Sequence, residues 1–528
     1  MKSQKNKLFI LAAFLLFSNC FLHAQKQVTN QLRELEKISS DQRLQETQRF
    51  EKAMNLAAQK GWRLTITDDK GNVARLIGVD DQGFPMYVGT QSNVVAASTI
   101  GTNKLWTGGS SGLNLDGSSP LLTNKLALWD GGLINKSHVE LIGRITQKDN
   151  PSTEDNHATH VTGTLVASGV NSVAKGMAHG IKGIIAYDFS NHVSEMSSEA
   201  ANLLVSNHSY GSIAGWRFNS AQNRWEFWGT TGSNEDWKFG TYSGETQLWD
   251  SIAWLAPNYL IVKSAGNNRN ESGPAIGTNY WRYDESNQMV DAGGRPSGIS
   301  DQTGFDLLPT YSNAKNALIV GNTLPISGGY TSAADVVLSN SSSFGPTDDG
   351  RIKPDVVANG SGLTSTGAGS NTAYSTLSGT SMSSPTIAGS AILLQELFQR
   401  KNSDRSAWSS TIKGLILHTA DPATTVPGPD YKHGWGLANI GRAASVLNNT
   451  QNNLVVEQTL KNDSVYTVSV VASGKGKLSA TIVWTDPAGT VTTNGTLNSR
   501  EKKLVNDLDL RIKQGTKTFF PWKLDGAA

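Results

Sequence analysis

The chain has 528 residues, of which 38% are hydrophobic and 17% charged, with 46 Lys and Arg, 44 Asp and Glu, and one Cys. That apolar content excludes a wholly disordered chain, and a net charge of +2 gives no electrostatic reason to expect nucleic acid as a partner. A single Cys excludes an intramolecular disulfide and any multi-cysteine metal site, and the length exceeds one ordinary domain.

Lys2, Lys5 and Lys7 precede an unbroken apolar run from Leu8 to Phe17, and Leu22-His23-Ala24 ends on a small residue. This is the pattern of a cleaved secretory signal peptide over residues 1–24. The run is too short to cross a hydrocarbon layer of roughly 30 Å. Cys20 lies inside the leader, so a cut near Ala24 leaves no cysteine; Ser18-Asn19 before it make a poor lipoprotein box. Losing the three Lys leaves 43 basic against 44 acidic residues, a charge of −1. The protein is expected to be secreted or extracytoplasmic, with no transmembrane segment.

Residues 26–60 are polar, and Val28, Leu32 and Leu35 share one helical face. Leu64 to Thr67 and Ala74 to Ile77 read as a strand pair around a turn at 68–72. Residues 25–105 thus form a small N-terminal region, a candidate pro-segment. Residues 107–120, rich in Gly and Ser, read as a boundary loop.

From about 121 to 447, short apolar runs alternate with helical stretches. Leu126–Trp129, Gly183–Tyr187, Leu203–Val205, Tyr259–Val262 and Ala317–Val320 suit strands buried on both faces. Residues 156–169, 383–400 and 408–420 suit helices between and after them. The alternation predicts a doubly wound, mainly parallel α/β sheet with ligands beyond the carboxyl ends of its strands. Residues 212–250 read as an insertion carrying Trp216, Trp225, Trp228, Trp237 and Trp249, either an aromatic rim or the packing of a long loop. From 451 to 528 the pattern alternates as half-buried strands do, at Val465–Val471, Lys477–Trp484 and Leu508–Ile512. It predicts an incomplete all-β sandwich or jelly roll.

Four polar positions fall at strand ends and helix starts. Asp130 follows the run Leu126–Trp129 and precedes two glycines, where an ordinary turn would also have an Asp. His157 and His160 share a helical face, which suits a metal pair, one general base, or a plain surface or capping role; HExxH is absent. Ser381, in LSGTSMSSP, precedes an apolar helix, where a Ser is usually a cap but where the helix dipole also favours developing negative charge. Asn267, in SAGNN, is a turn Asn or a donor into the same crevice. Gly108 to Gly112 matches GxSxG, and Ser312 to Lys315 matches SxxK. Neither has the helix or partner motifs its chemistry needs.

The segments LALWDGG, HATHVTGT, SAGNN and GTSMSSP, in that order, resemble those of the subtilisin-like serine proteases, the subtilases. The resemblance covers about 121–447 and implies a subtilisin-like peptidase domain over 106–450. It implies a secreted serine endopeptidase with Ser381 as nucleophile, His157 as general base and Asp130 as the residue that orients it. Asn267 and the Ser381 backbone N–H would form the oxyanion hole. Ser209, Tyr210 and Gly211 would line the cleft on one side, and Ser264, Ala265 and Gly266 on the other. His160 would then be structural.

The resemblance implies no cofactor for the chemistry, with structural calcium in acidic loops such as Asp348-Asp349 or Asn506–Asp509, and protein or peptide substrates for a monomeric enzyme. Two positions depart from the family pattern: Gly131 follows the Asp where Ser or Thr is usual, and Ala158 follows the His where Gly is usual. The competing expectation is an inactive subtilase-like binding or adhesion module.

Overall fold

The computed structural model describes residues 31, 33–38, 40, 45–67, 73–79, 83, 85–90, 96–326, 328–449, 451, 454–474 and 476–523. The expected leader and the turn at 68–72 lie outside the described residues. Residues 45–60 are helical, as the polar amphipathic pattern predicts. Strands β1 (Thr65–Thr67) and β2 (Val73–Val79) pair antiparallel, as expected, and β2 continues the ladder to β3 (Pro85–Thr90).

The chain then forms β4 (Leu126–Asp130), β5 (Ile145–Gln147), α1 (Asn156–Val166), β6 (Ile184–Asp188), α2 (His192–Glu199), β7 (Val205–His208) and β8 (Tyr210–Ser212). Next come β9 (Trp216–Asn219), β10 (Arg224–Phe227), α3 (Gly244–Leu255), β11 (Leu260–Ser264), β12 (Asn279–Tyr283) and β13 (Met289–Gly294). Strands β14 (Leu318–Thr323), β15 (Val356–Asn359), β16 (Leu363–Thr366) and β17 (Tyr374–Leu377) lead to α4 (Thr380–Lys401), α5 (Ser409–His418) and α6 (Ile440–Asn448).

Seven strands form one parallel sheet in the order β15-β14-β11-β7-β4-β6-β5. Its core strands carry apolar side chains on both faces because both are covered. In β4, Leu126 and Leu128 enter the cluster shared with α1, α4, α5 and α6, whereas Ala127 and Trp129 enter the one shared with α2 and α3. Helix α4 packs beneath β7, β11, β14 and β15 and is buried from Thr380 to Gln399. Two of its hydroxyls bond back within the helix: Thr386 Oγ1 donates to the Met382 carbonyl at 2.8 Å and Ser390 Oγ to the Thr386 carbonyl at 2.6 Å. The doubly wound α/β architecture is therefore as the alternation predicted.

The insertion is structured. Strands β9 and β10 join β12 and β13 in a second sheet, ordered β13-β12-β10-β9, that the periodicity does not reveal. These strands are short and mix buried with half-exposed positions, so they lack the continuous apolar runs of the central sheet. Trp216, Trp228, Trp237 and Trp249 are buried, so most of the insertion's tryptophans are packing residues and not an open rim. Trp228 has a second use. With Ile213 and Tyr283 it packs against Ala53, Ala57, Trp62, Ile66, Leu76 and Val79 of the N-terminal region. Polar contacts add to this seam: Arg63 Nη1 donates to Asn219 Oδ1 at 2.7 Å, and Arg49 pairs with Glu245 at 3.1 Å.

The C-terminal stretch departs from expectation. The runs at Val465–Val471 and Lys477–Trp484 form no ladder, and the described pairing is a hairpin of Ile512–Gln514 with Lys517–Phe519. Alternation sets which side chains would face a core, but a strand also needs a neighbour. Val465 and Val471 stand in solvent. Part of the stretch is anchored on the main domain. Asp486 pairs with Lys315 at 2.5 Å and accepts the backbone N–H of Val505 and Asn506.

Candidate active site

The site lies beyond the carboxyl ends of the parallel strands. After β4 the chain builds β5 and β6 on one side, then returns with β7 on the other, so β4 and β7 flank the point where winding reverses. Asp130 is the last residue of β4, Ser209 follows β7, and Ser264 ends β11.

Asp130 is 1% exposed and His157 7%. His157 Nδ1 donates to Asp130 Oδ1 at 2.7 Å, which fixes the ring's tautomer and orientation. The same oxygen accepts the Gly131 backbone N–H at 2.7 Å, so Gly131 supports the carboxylate through a group that every residue but proline has. His157 stands in the first turn of α1. Asp155 caps that helix, accepting the N–H of His157 at 2.7 Å and of Ala158 at 2.9 Å. Burial raises the Asp155 carboxyl, opposed by the nearby His157. His160, one turn on, is fully buried; burial first and His157 second lower its pKa to about 3. It stays neutral, with Nε2 3.2 Å from the Ser375 carbonyl, and belongs to the packing of α1.

Ser381 is 2% exposed and sits in the first turn of α4. Pro385 lies inside the same helix and has no N–H, so the Ser381 carbonyl lacks the helical donor four residues on. Ser209 Oγ supplies that donor at 2.5 Å, and Ser381 Oγ donates in turn to the Ser209 carbonyl at 3.1 Å. Asn207 Nδ2 donates to Ser209 Oγ at 2.9 Å and its Oδ1 accepts Ser384 Oγ at 2.7 Å, which closes the network onto α4. Sequence reasoning assigned Ser209 to the cleft wall and missed this link; the signal for it was the proline four residues after Ser381. Replacing Ser209 with Ala leaves a buried carbonyl without its donor. The expected loss is about 1–3 kcal/mol of stability, read as a lower urea midpoint at unchanged slope.

Asn267 follows β11 through Gly266, whose φ of 112° suits only glycine without strain. Asn267 Oδ1 accepts the Thr380 N–H at 2.9 Å and the Thr380 hydroxyl at 3.1 Å. The oxygen end of the amide is thus held by the start of α4, leaving the Nδ2 end to donate. Ser209, Tyr210, Gly211, Ser264, Gly266, Asn267 and Ser381 all line one cleft enclosing about 590 Å³, open solvent at its mouth included. Ala265, expected there too, is fully buried in the cluster under α2 and α3.

That cleft is already paired with the chain itself. Strand β3 lies antiparallel to β8, with Val88 opposite Ser212, Gly89 opposite Gly211 and Thr90 opposite Tyr210. The N-terminal region therefore occupies the backbone groups expected to receive an extended peptide.

Of the acidic loops expected to suit an ion, Asp349 pairs with Arg351 at 2.7 Å and Asp509 with Arg511 at 3.2 Å. Asp348 lies buried beside Asp306. Burial pushes their carboxyls up to about 7 and about 8, and for Asp306 the charge of Asp348 adds to it. Among the described residues, one group of three metal-ligand side chains converges, Asp130, Asp155 and His157. The hydrogen bonds above account for each of them.

A model of the subtilase family matches residues 112–436. The chain belongs to the subtilase family. This subtilase is 23% identical over 345 residues to the serine protease/ABC transporter B family protein tagA of Dictyostelium discoideum, covering 51% of the chain and 19% of that protein. It is 29% identical over 177 residues to the PII-type proteinase of Lactococcus lactis subsp. cremoris, covering 30% of the chain and 9% of that protein. The chain thus spans under a fifth of either relative. Among solved structures, the CspB protease of Clostridium perfringens aligns at a TM-score of 0.46 and 17% identity, over 68% of this chain and 98% of that one. No described helix is long and apolar enough to cross a membrane.

Proposed function

We propose that this subtilase is an exported serine endopeptidase, made with its N-terminal region as a pro-segment. The observation that carries the reading is the 2.7 Å bond from His157 Nδ1 to the buried Asp130 at the carboxyl end of the sheet; Ser381 and Asn267 line a cleft at the same end. In this mechanism Ser381 Oγ attacks the scissile carbonyl and His157 takes its proton. Asp130 stabilises the imidazolium, and His157 then protonates the leaving amine. The tetrahedral oxyanion forms at the start of α4, where the Ser381 N–H and the positive end of the helix dipole favour it. Asn267 Nδ2 supplies the second donor. Water next attacks the acyl-enzyme by the same route in reverse.

The test is a fluorophosphonate probe, which modifies an activated serine. The expected outcome is labelling of Ser381 in wild type and none in Ser381→Ala; a wild type that resists the probe after removal of the N-terminal region would instead be a binding module. Asn267→Ala is expected to retain labelling but lose on the order of 10²–10³ in kcat with little change in KM, the loss known for the equivalent donor in subtilisin.

A further inference from the structure

Lys263 lies in β11, beside Ser264, and the mechanism does not use it. The residue is 1% exposed. Buried ammonium groups are ordinarily matched by carboxylates, and elsewhere in this domain they are: Lys353 and Lys413 both bond Asp355, at 2.6 and 3.2 Å. Lys263 has no such partner among the described residues. Its Nζ donates to the Ser264 carbonyl at 2.5 Å and to Ser264 Oγ at 2.8 Å. Burial alone lowers its pKa, to about 7, with no acidic group holding it up.

The direction of the side chain gives it a use. Nζ lies 3.8 Å from the point where a Cβ on Gly211 would stand, and Pro309 borders the same spot at 3.9 Å. Gly211 is the bare position of the cleft strand, so no side chain separates the ammonium from the cleft that holds Ser381 and Asn267. The rim adds no net charge of its own, since Arg217 and Glu271 both line it. His208, the nearest titratable ring on β7, is fully buried and held well below its usual pKa, chiefly by burial.

We propose that Lys263 is a specificity-determining residue of this cleft, accepting an oxygen-bearing substrate side chain before the scissile bond: carboxylate first, amide second, and both ahead of apolar or basic side chains. The proposal rests on the serine endopeptidase reading. A substrate carboxylate would supply the counter-charge that the fold leaves out, through a charge-assisted hydrogen bond in a water-poor site.

The experiment is a fluorogenic peptide series differing only in the residue before the cut, Glu, Gln, Leu or Lys, with wild type and Lys263→Met. In wild type, kcat/KM is expected to be about 10-fold higher for Glu than for Gln, the margin of a charged over a neutral hydrogen bond. Lys is expected to fall about 10³-fold below Glu, because like charges meet in a buried site. In Lys263→Met the Glu-to-Gln ratio is expected to fall to about 1 while Leu overtakes both; fluorophosphonate labelling reports whether that variant holds a folded active centre. A wild type that cuts after Leu or Lys as fast as after Glu overturns the proposal, whatever the variant does. So does an unchanged ratio in a labelled variant. Labelling with the wrong side-chain ranking sinks this inference alone, whereas a wild type that neither labels nor cuts sinks the endopeptidase reading with it.

Discussion

Replacing Ser381 with Ala is expected to lower kcat by on the order of 10⁶, and replacing His157 with Ala by a similar factor, while the double variant loses little more than either. The magnitude is the one known for subtilisin, a member of this family. The expectation of non-additivity comes from the chemistry. The imidazole is useful only if a hydroxyl is there to deprotonate, and the hydroxyl is a weak nucleophile without the base. Asp130→Asn is expected to cost about 10⁴, because an amide in place of the carboxylate lets His157 Nδ1 accept instead of donate and so inverts the tautomer. A peptide assay of the four purified variants checks these expectations. Equal activity in Ser381→Ala and wild type would refute the assignment outright. Ser381→Ala also removes the donor to the Ser209 carbonyl, so the variant should lose about 1–3 kcal/mol of stability while still unfolding in one cooperative transition. A loss of activity in a variant that keeps that transition then reports chemistry and not folding.

The central sheet was legible because both of its faces are covered. Leu126–Trp129 and Tyr259–Val262 could be apolar throughout only as buried parallel strands, and the carboxyl ends of those strands are where the site residues fall. Asp130, His157, Asn267 and Ser381 were each ambiguous alone and informative as an ordered set. What stayed hidden depends on contacts between distant segments. The second sheet pairs Phe227 with Arg282 across 55 positions, through strands with no strong alternation. The bond from Ser209 to the Ser381 carbonyl needs β7 and α4 side by side, and Pro385 signals only that some donor is required. The charge of Lys263 reads from sequence as an interruption in a strand; that it ends behind Gly211 follows only from how β8 packs against the end of β11. In the C-terminal stretch, alternation set side-chain parity but could not supply a partner strand.

The second large effect expected is self-processing. Strand β3 runs toward the site along β8: as the chain goes from Val88 to Thr90, its partners go from Ser212 back to Tyr210, and the next residue, Ser209, is hydrogen-bonded to Ser381. A peptide continuing in that direction passes the nucleophile within a few residues of Thr90. Purified wild type is therefore expected as two pieces, with the new N-terminus among residues 91–97, whereas Ser381→Ala remains a single chain. Before the cut, β3 holds the backbone groups that substrate would need, and Ala53, Ala57, Trp62, Ile66, Leu76 and Val79 anchor it on Ile213, Trp228 and Tyr283. After the cut, the same apolar seam is expected to keep the released segment bound as an inhibitor, since cleavage removes no side chain from it. Weakening the seam should then separate cutting from activity. Trp62→Ala removes a buried ring and its bond from Nε1 to the Asn287 carbonyl, at a cost of about 3–5 kcal/mol to docking if the ring is as well packed as in other cores. The processed Trp62→Ala protein should therefore show full peptide hydrolysis at dilutions where processed wild type is still inhibited. Intact wild type with full activity, or a cut that persists in Ser381→Ala, would mean that β3 pairs with β8 for structural reasons alone.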